Sequence, residues 1–273
     1  MRRYNLSNLE KIAERYAEAK RDVSYFTRYM AGDHEVVWAE LSALGENVRS
    51  RNALEDARAV AAETMRRVEH NLLILKERLP ACGYRFNAPT TDPPKPVYRT
   101  ADREDFDLLH ILETESGPLP ISLHAFYSIV GEVDFSQDYE QLIQWPARED
   151  GAPYTELQML AEFNPLSVST LAVLMAHRLQ GVKSVEAPLV PDEAGNAFYS
   201  GDYYYTELPN SNVDASIGTY FGGSEDFVGY LRQAFRHSGF HGMPNAGAGT
   251  VSARWNFPSL PCLLVIVRDL LPI

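Results

Sequence analysis

Residues 117–131, GPLPISLHAFYSIVG, are more sharply bounded than any other stretch of the chain. Pro118 and Pro120 remove two backbone donors and hold the entry extended, and Ser122 stands where it can cap a following helix. Gly131 occupies the position of a left-handed helix stop. The apolar residues between them fall at i, i+3, i+4 and i+7, on one helical face: Leu123, Phe126, Tyr127 and Val130. The stretch therefore predicts a buried helix, in which Pro120, Phe126, Tyr127 and Gly131 have structural roles.

The 86 residues at the start of the chain have a helical pattern. Asp33 can cap one helix, and Asn52 with Glu55 forms a possible capping box for a longer one. The longer helix has apolar and small residues at alternating spacings of three and four: Leu54, Ala57, Ala61, Thr64, Val68, Leu72, Leu75 and Leu79. We predict two or three helices in residues 1–86. This seam is expected to pack within its own chain, with a homodimeric or partner-binding seam as the alternative.

A proline-rich segment separates this helical region from the rest. Residues 87–97 contain four prolines, which favour a stiff, extended chain. We therefore predict a linker at residues 87–99, followed by a second domain at residues 100–273. Asp102 is expected to cap the first helix of that domain.

Beyond Gly131 the sequence changes to short strand-like runs separated by turn residues. Residues 133–135 and 217–221 are predicted strands, and residues 169–179 are a predicted helix. Ser224 is expected to cap another helix, whose first turn would hold two acids. The apolar segment 258–271 favours a buried helix, because the leucines at 260, 263, 264 and 271 and Val267 fit one helical face; a central strand at residues 263–267 is the alternative.

Residues 197–208 are rich in tyrosine, and Gly201 with Asp202 suggests a bend between two strands. Tyrosine provides large amphipathic contact area and is common at protein interfaces. An acidic, aromatic recognition face is one interpretation, and alternate tyrosines buried under a sheet is the other. Because successive strand residues point to opposite faces, both can hold. The candidate partner-binding residues are Tyr199, Asp202, Tyr203, Tyr204, Tyr205 and Glu207.

Charge is distributed unevenly along the 273 residues. The formal net charge is −12; residues 1–86 carry 15 Lys+Arg against 13 Asp+Glu, and residues 87–273 carry 10 against 24, a net of −14. Such an acidic region disfavours nucleic acids and anionic membranes, since phosphate contacts need clustered Lys and Arg. It suits a basic protein partner, or it serves solubility alone. No membrane-spanning run or signal peptide is expected, and the cytoplasm is the predicted compartment.

Motifs that dictate a chemistry are absent from the sequence. It lacks GxGxxG, GxxxxGK[ST], GxSxG and HExxH. His237 and His241 are four residues apart, but Gly239 lies between them and no acidic third ligand is nearby, so a helix-end loop is favoured over a metal site. Cys82 and Cys262 are far apart in sequence, which argues against a disulfide scaffold. We therefore predict no catalytic residues, no metal and no cofactor.

Several segments, in order, resemble the SUKH superfamily, which includes bacterial immunity proteins and a yeast cell-wall-synthesis regulator. The segments are GPLPISLHAFYSIVGEVDF from residue 117, NPLSV from residue 164, the tyrosine-rich stretch, and DFVGYLR from residue 226. The resemblance covers about residues 100–273. It implies an α+β fold, in which the helical N-terminal segment precedes a mixed, mostly antiparallel sheet flanked by helices. It also implies a binding role without catalysis, often the neutralisation of nuclease toxins.

Three hypotheses follow. The first is a non-enzymatic protein-binding module, in its most specific form an immunity protein that covers a basic nuclease-type toxin with its acidic domain. The second is a small-ligand-binding protein or an unrecognised enzyme, which predicts a pocket with convergent polar groups. The third is an assembly factor that acts through the N-terminal helices. The oligomeric state is left open between a monomer and a dimer formed through those helices.

Overall fold

The computed structural model of the protein confirms the α+β prediction, with N-terminal helices followed by two antiparallel sheets and further helices. The structure describes residues 23–82, 84, 86, 96–136, 165–179, 185–191, 203–218, 224–241 and 261–273. No helix in these ranges is both long enough and apolar enough to cross a membrane.

The N-terminal helices are α1 (Tyr25–Met30), α2 (His34–Ala43) and α3 (Arg51–Ala81), with a 3₁₀ turn at Gly45–Arg49 before α3. Asp33 stands at the N-cap position of α2 as predicted, but its side chain makes no capping hydrogen bond. The capping box predicted at Asn52 is wrong, because α3 has already begun at Arg51.

The predicted seam of α3 is buried within its own chain. Every seam residue from Ala57 to Leu79 is buried, and Leu54 is half-buried. Thr64 fits this interior because its hydroxyl donates to the Val60 carbonyl at 2.9 Å and accepts from the Trp38 indole at 3.1 Å. The seam therefore offers no free apolar stripe to a second chain, in agreement with the intramolecular interpretation.

The first sheet contains β1 (Tyr98–Arg99), β2 (Glu132–Asp134) and β3 (Ser167–Val168), with β2 in the centre. Between β1 and β2 lie α4 (Arg103–Ser116) and α5 (Ile121–Ile129). Asp102 caps α4 as predicted, in a reciprocal capping box with Asp105. The predicted linker is wrong at its end, because residues 98–99 are paired with β2; residues 87–95 lie outside the described ranges.

Helix α5 is the buried helix predicted at residues 117–131. Phe126 and Tyr127 are fully enclosed, and the Tyr127 hydroxyl donates to the Ser169 carbonyl at 2.8 Å. Pro120 stands just before the helix, so Ser122 lies inside its first turn and is not the cap that we predicted. Gly131 has a φ of +79°, and its N–H donates to the Phe126 carbonyl.

The second sheet contains β4 (Val185–Pro191), β5 (Tyr203–Leu208), β6 (Ser216–Gly218) and β7 (Ser224–Asp226). The strands lie side by side in that order, and every pair is antiparallel. Helix α6 (Leu171–Leu179) precedes the sheet, α7 (Phe227–Arg236) follows directly from its last strand, and α8 (Pro261–Asp269) lies near the C-terminus.

The structure bears on two predictions about this sheet. The tyrosine-rich strand β5 pairs with β4 and β6, whereas the bend predicted at Gly201 and Asp202 lies outside the described residues. Ser224 does not cap a helix, because residues 224–226 form an edge strand and α7 begins at Phe227.

Helix α8 packs against α3, as a buried C-terminal helix should, but its buried face differs from our prediction. Leu263 and Ile266 are buried, whereas Leu264 is 52% exposed. The Asn71 side-chain amide holds the residues after α8 against α3. It donates to the Leu271 carbonyl at 2.9 Å and accepts from the Leu271 N–H at 2.7 Å.

The fold brings together Cys82 and Cys262, two free cysteines that are far apart in sequence. Burial, together with the contact from Cys262, raises the pKa of Cys82 to about 11.

Candidate binding face on the four-stranded sheet

The outer face of the second sheet carries a row of exposed polar side chains that crosses all four strands, and three of the four are acids. Glu186 of β4 lies directly opposite Glu207 of β5. The pairing of β5 with β6 places Ser216 next to Glu207, and Ser216 lies opposite Asp226 of β7. All four residues are exposed. We call Glu186, Glu207 and Asp226 the acidic row.

The acidic row has no compensating cation among the residues that the structure describes: none of its carboxylates forms an ion pair there. Directly opposed side chains in an antiparallel pair lie about 5 Å apart, and like charges in that position destabilise the sheet. With strand spacings of about 4.8 Å, the row extends roughly 14 Å across the sheet. This face therefore holds a line of negative charge at a cost to folding.

The candidate tyrosines divide between the two faces of the sheet. Tyr205 lies one row from Glu207 on the outer face, half-buried and opposite Pro188 and Gly218. Tyr204 lies on the inner face opposite Val190, where its ring centroid is 6.2 Å from that of His241. Tyr203 lies in β5 opposite Pro191, but the structure does not describe its side chain. Tyr199 and Asp202 lie outside the described residues. Of the six candidate residues, the structure thus brings Tyr205 and Glu207 together.

On the inner face His241 packs against an aromatic ring, whereas His237 lies at the C-terminal end of α7. The His241 ring is tilted against Tyr230 at 4.6 Å between centroids, and its Nε2 lies 2.5 Å from a carboxylate oxygen of Glu225. The buried Tyr230 hydroxyl donates to the Ser167 carbonyl at 3.2 Å, and burial raises its pKa. No group of three or more His, Cys, Asp or Glu side chains in the described ranges is arranged to hold a metal ion.

Behind the acidic row lies a buried carboxyl group that sequence reasoning missed. Asp214 accepts from the backbone N–H of Val228, in the first turn of α7, at 3.1 Å, and from the N–H of Ala215 at 2.9 Å. Burial raises its pKa to about 7, against the opposing hydrogen bonds from the N–H groups of Val228 and Ala215. Asp214 thus performs part of the capping that we assigned to Ser224. No local pattern marks it, because it stands more than ten residues before the helix.

Comparison of the chain with models of protein families, with curated proteins and with solved structures returned no match. The SUKH resemblance stays a prediction from the residues that carry it.

Proposed function

We propose that this protein is a non-enzymatic binding module that holds a basic protein against the outer face of its second sheet. The observation that carries the proposal is the acidic row: three exposed carboxylates in register on β4, β5 and β7, with Ser216 of β6 between the last two, and without a cation from the described part of the chain. A partner's Lys and Arg side chains would remove the repulsion within the row on binding, which makes electrostatic complementarity favourable there.

The character of the face favours a protein over other ligands. A line of carboxylates repels phosphate groups, so nucleic acids and anionic lipids are poor partners. Tyr205 adds aromatic contact area beside the charges, a combination that is common at protein interfaces. The face is a sheet surface with exposed side chains in adjacent strands, which suits a broad contact better than enclosure of a small molecule.

The resemblance to SUKH domains gives this proposal a specific form. Immunity proteins of that superfamily often neutralise nucleases, whose substrate-binding surfaces must be basic to hold phosphates. The net charge of −14 over residues 87–273 complements such a surface. We therefore propose a cationic nuclease-type toxin as the partner, bound by the acidic row and neutralised by being covered.

The test compares two triple variants that remove the same amount of charge. The face variant neutralises the acidic row: Glu186→Gln, Glu207→Gln and Asp226→Asn. The control variant neutralises three exposed acids of α4 instead: Glu104→Gln, Asp107→Asn and Glu115→Gln. Each immobilised protein is exposed to extract of the source cells, and bound proteins are identified by mass spectrometry. Binding kinetics are then measured with the purified partner.

We expect the wild type and the control variant to retain the same basic protein, and the face variant to lose it. The association rate should fall steeply as NaCl rises, because steering by charge is screened. If both variants lost the partner equally, net charge and not the acidic row would account for binding. Retention by the face variant, or an association rate that does not respond to salt, would contradict the proposal.

A further inference from the structure

A cavity of about 230 Å³ lies away from the acidic row, between α3, the 3₁₀ turn, α4 and α5. We call its apolar lining the floor, and most of it comes from α5 and the chain just before α5: Ala62, Leu119, Ile121, Ala125 and Ile129. The volume corresponds to roughly seven water molecules. It is somewhat below the 300 Å³ at which sites for drug-sized ligands begin. The cavity therefore has room for a small molecule with an apolar body.

Two guanidinium groups line this cavity without a carboxylate of their own. Arg49 is partly buried, and it donates through Nε to the Ser211 carbonyl at 2.9 Å and through Nη2 to the Leu119 carbonyl at 2.5 Å. Both acceptors are neutral, so they fix the orientation of the guanidinium without neutralising it. Arg58 is exposed and forms no hydrogen bond or ion pair with another described residue.

One carboxylate, Glu113, also lines the cavity and sets a single negative charge against the two guanidinium charges. Glu113 accepts from the Leu119 N–H at 3.3 Å through one oxygen, and its other oxygen lies 3.6 Å from Nε2 of His124. Burial lowers the pKa of Arg49; the charge of Glu113 opposes this shift, and the charge of Arg58 adds to it. The charged side chains of the lining sum to +1 with His124 neutral, in a chain whose net charge is −12.

We propose that this cavity binds a small organic anion, whose carboxylate lies between Arg49 and Arg58 and whose apolar body lies on the floor of the cavity. An anion would relieve the repulsion between the two arginines, and guanidinium groups bind carboxylates through paired, charge-assisted hydrogen bonds. The apolar floor selects an organic acid over inorganic phosphate, because only the former also removes hydrocarbon surface from water. The site is independent of the acidic row and of its partner.

The probes are benzoate and its neutral isostere benzamide, with inorganic phosphate as an anion that lacks an apolar body. Binding is measured by titration calorimetry and by ¹H–¹⁵N chemical-shift changes in the full chain. Arg58→Gln removes one guanidinium at an exposed position, so the fold is not at stake. Arg66→Gln is the matched control: it removes the same charge farther along α3, from a side chain that is 62% exposed.

We expect benzoate to bind with a Kd of about 1 mM or tighter, and benzamide and phosphate at least tenfold more weakly. Arg58→Gln should raise the Kd of benzoate about tenfold, the effect of losing one charge-assisted contact. Arg66→Gln and the triple variant of the acidic row should bind benzoate like the wild type, which separates this site from the proposed partner face. Absence of benzoate binding, equal binding of benzamide or phosphate, or equal effects of the two arginine substitutions would overturn the proposal.

Discussion

At Asp214 the chain buries a carboxyl group where two helices meet the second sheet. The carboxylate accepts from the N–H of Val228, and the carbonyls of the two preceding residues accept from the first turn of α5, through the N–H groups of Ile121 and Ser122. Hydrogen bonds from N–H groups favour the ionised form, but burial outweighs them, and the pKa of Asp214 rises to about 7. One side chain therefore couples this junction to pH.

The sign of that coupling predicts a loss of stability as pH rises. The pKa of Asp214 is higher in the folded state than its usual value of 3.8. Its contribution is therefore fully present below about pH 4 and is lost as pH rises to about 7, by at most about 4 kcal/mol. Asp214→Asn keeps an acceptor oxygen and cannot ionise. The difference in unfolding free energy between wild type and variant, from urea titrations at pH 4 to 8, should shift in favour of the variant across that range. A pH-independent difference would show that Asp214 has an ordinary pKa.

Gly131 is required for two separate reasons. Its φ of +79° is unfavourable for any residue with a side chain, and a Cβ there would lie 2.7 Å from both the Ala101 nitrogen and the Arg99 oxygen. We expect Gly131→Ala to destabilise the protein by about 2–4 kcal/mol, from the strained φ and the backbone displacement. Gly229→Ala is the control, because its Cβ would meet nothing closer than 3.9 Å inside α7. It should stabilise by about 0.5–1 kcal/mol. Equal effects in thermal unfolding would contradict this account.

At the scale of elements, Arg99 joins β1, β2 and the start of α4. Its guanidinium donates to both carboxylate oxygens of Asp105, at 2.7 and 2.9 Å, and to Glu132 at 2.9 Å. Burial alone would raise the pKa of Asp105, but hydrogen bonds from Arg99 and the Asp102 backbone outweigh it, and the net shift is downward. The contribution of Asp105 is thus present above its unfolded pKa and is lost as pH falls.

Arg99→Gln should therefore destabilise the protein at neutral pH, by about 1–3 kcal/mol, because a buried carboxylate loses its charged partner. The estimate lies below the full value for a buried pair, since the Arg99 side chain is 31% exposed. The loss should shrink in acid, as Asp105 protonates. Arg103→Gln is an exposed control in α4 and should have little effect. Urea unfolding at pH 3 and pH 7 measures both, and an equal loss at the two values would exclude the ion pair as the cause.

Helices whose ends are marked by nearby capping or stop residues could be predicted from the sequence, and elements without such residues could not. Asp102 and Gly131 act on residues within one helical turn, so their roles in α4 and α5 follow from spacing alone. Strand β4 was missed because Pro188 and Pro191 are atypical of a strand, and only pairing with β5 makes it one. The face of α8 was misassigned because tertiary contacts with α3, and not hydrophobicity, decide which of its leucines is covered.

The candidate site follows the same division. Strand alternation correctly allowed tyrosines on both faces, and it placed Glu207 near the aromatic cluster. The acidic row itself was out of reach, because Glu186 and Asp226 lie on strands whose partners are set by long-range pairing. Asp214 and the cavity of Arg49 and Arg58 depend on packing between elements far apart in sequence, which no local pattern encodes.

For the whole molecule, the distribution of charge separates two kinds of surface. The acidic row lies on the second sheet, and the cavity with its two arginines lies where the N-terminal helices meet α4 and α5. A net charge of −12 raises the general attraction for cations. The charged side chains that line the cavity instead sum to +1 with His124 neutral. Exposed charges more than about 8 Å apart are largely screened at physiological salt, so the two surfaces can have opposite charge.

If the acidic row is kept for binding, the repulsion within it should lower the unfolding free energy of the protein. Glu207 lies on β5, an inner strand of the sheet, directly opposite Glu186 of β4. Glu207→Gln should therefore raise the unfolding free energy by about 0.2–1 kcal/mol, and the gain should shrink in 1 M NaCl as repulsion is screened. Glu104→Gln removes the same charge from the first turn of α4, where an acid is favourable, and should lower stability by about 0.3–1 kcal/mol. Urea unfolding of both variants at low and high salt measures the contrast. A loss of stability in Glu207→Gln would mean that a cation of the chain itself compensates the row, and the face would then have no unsatisfied charge to offer a partner.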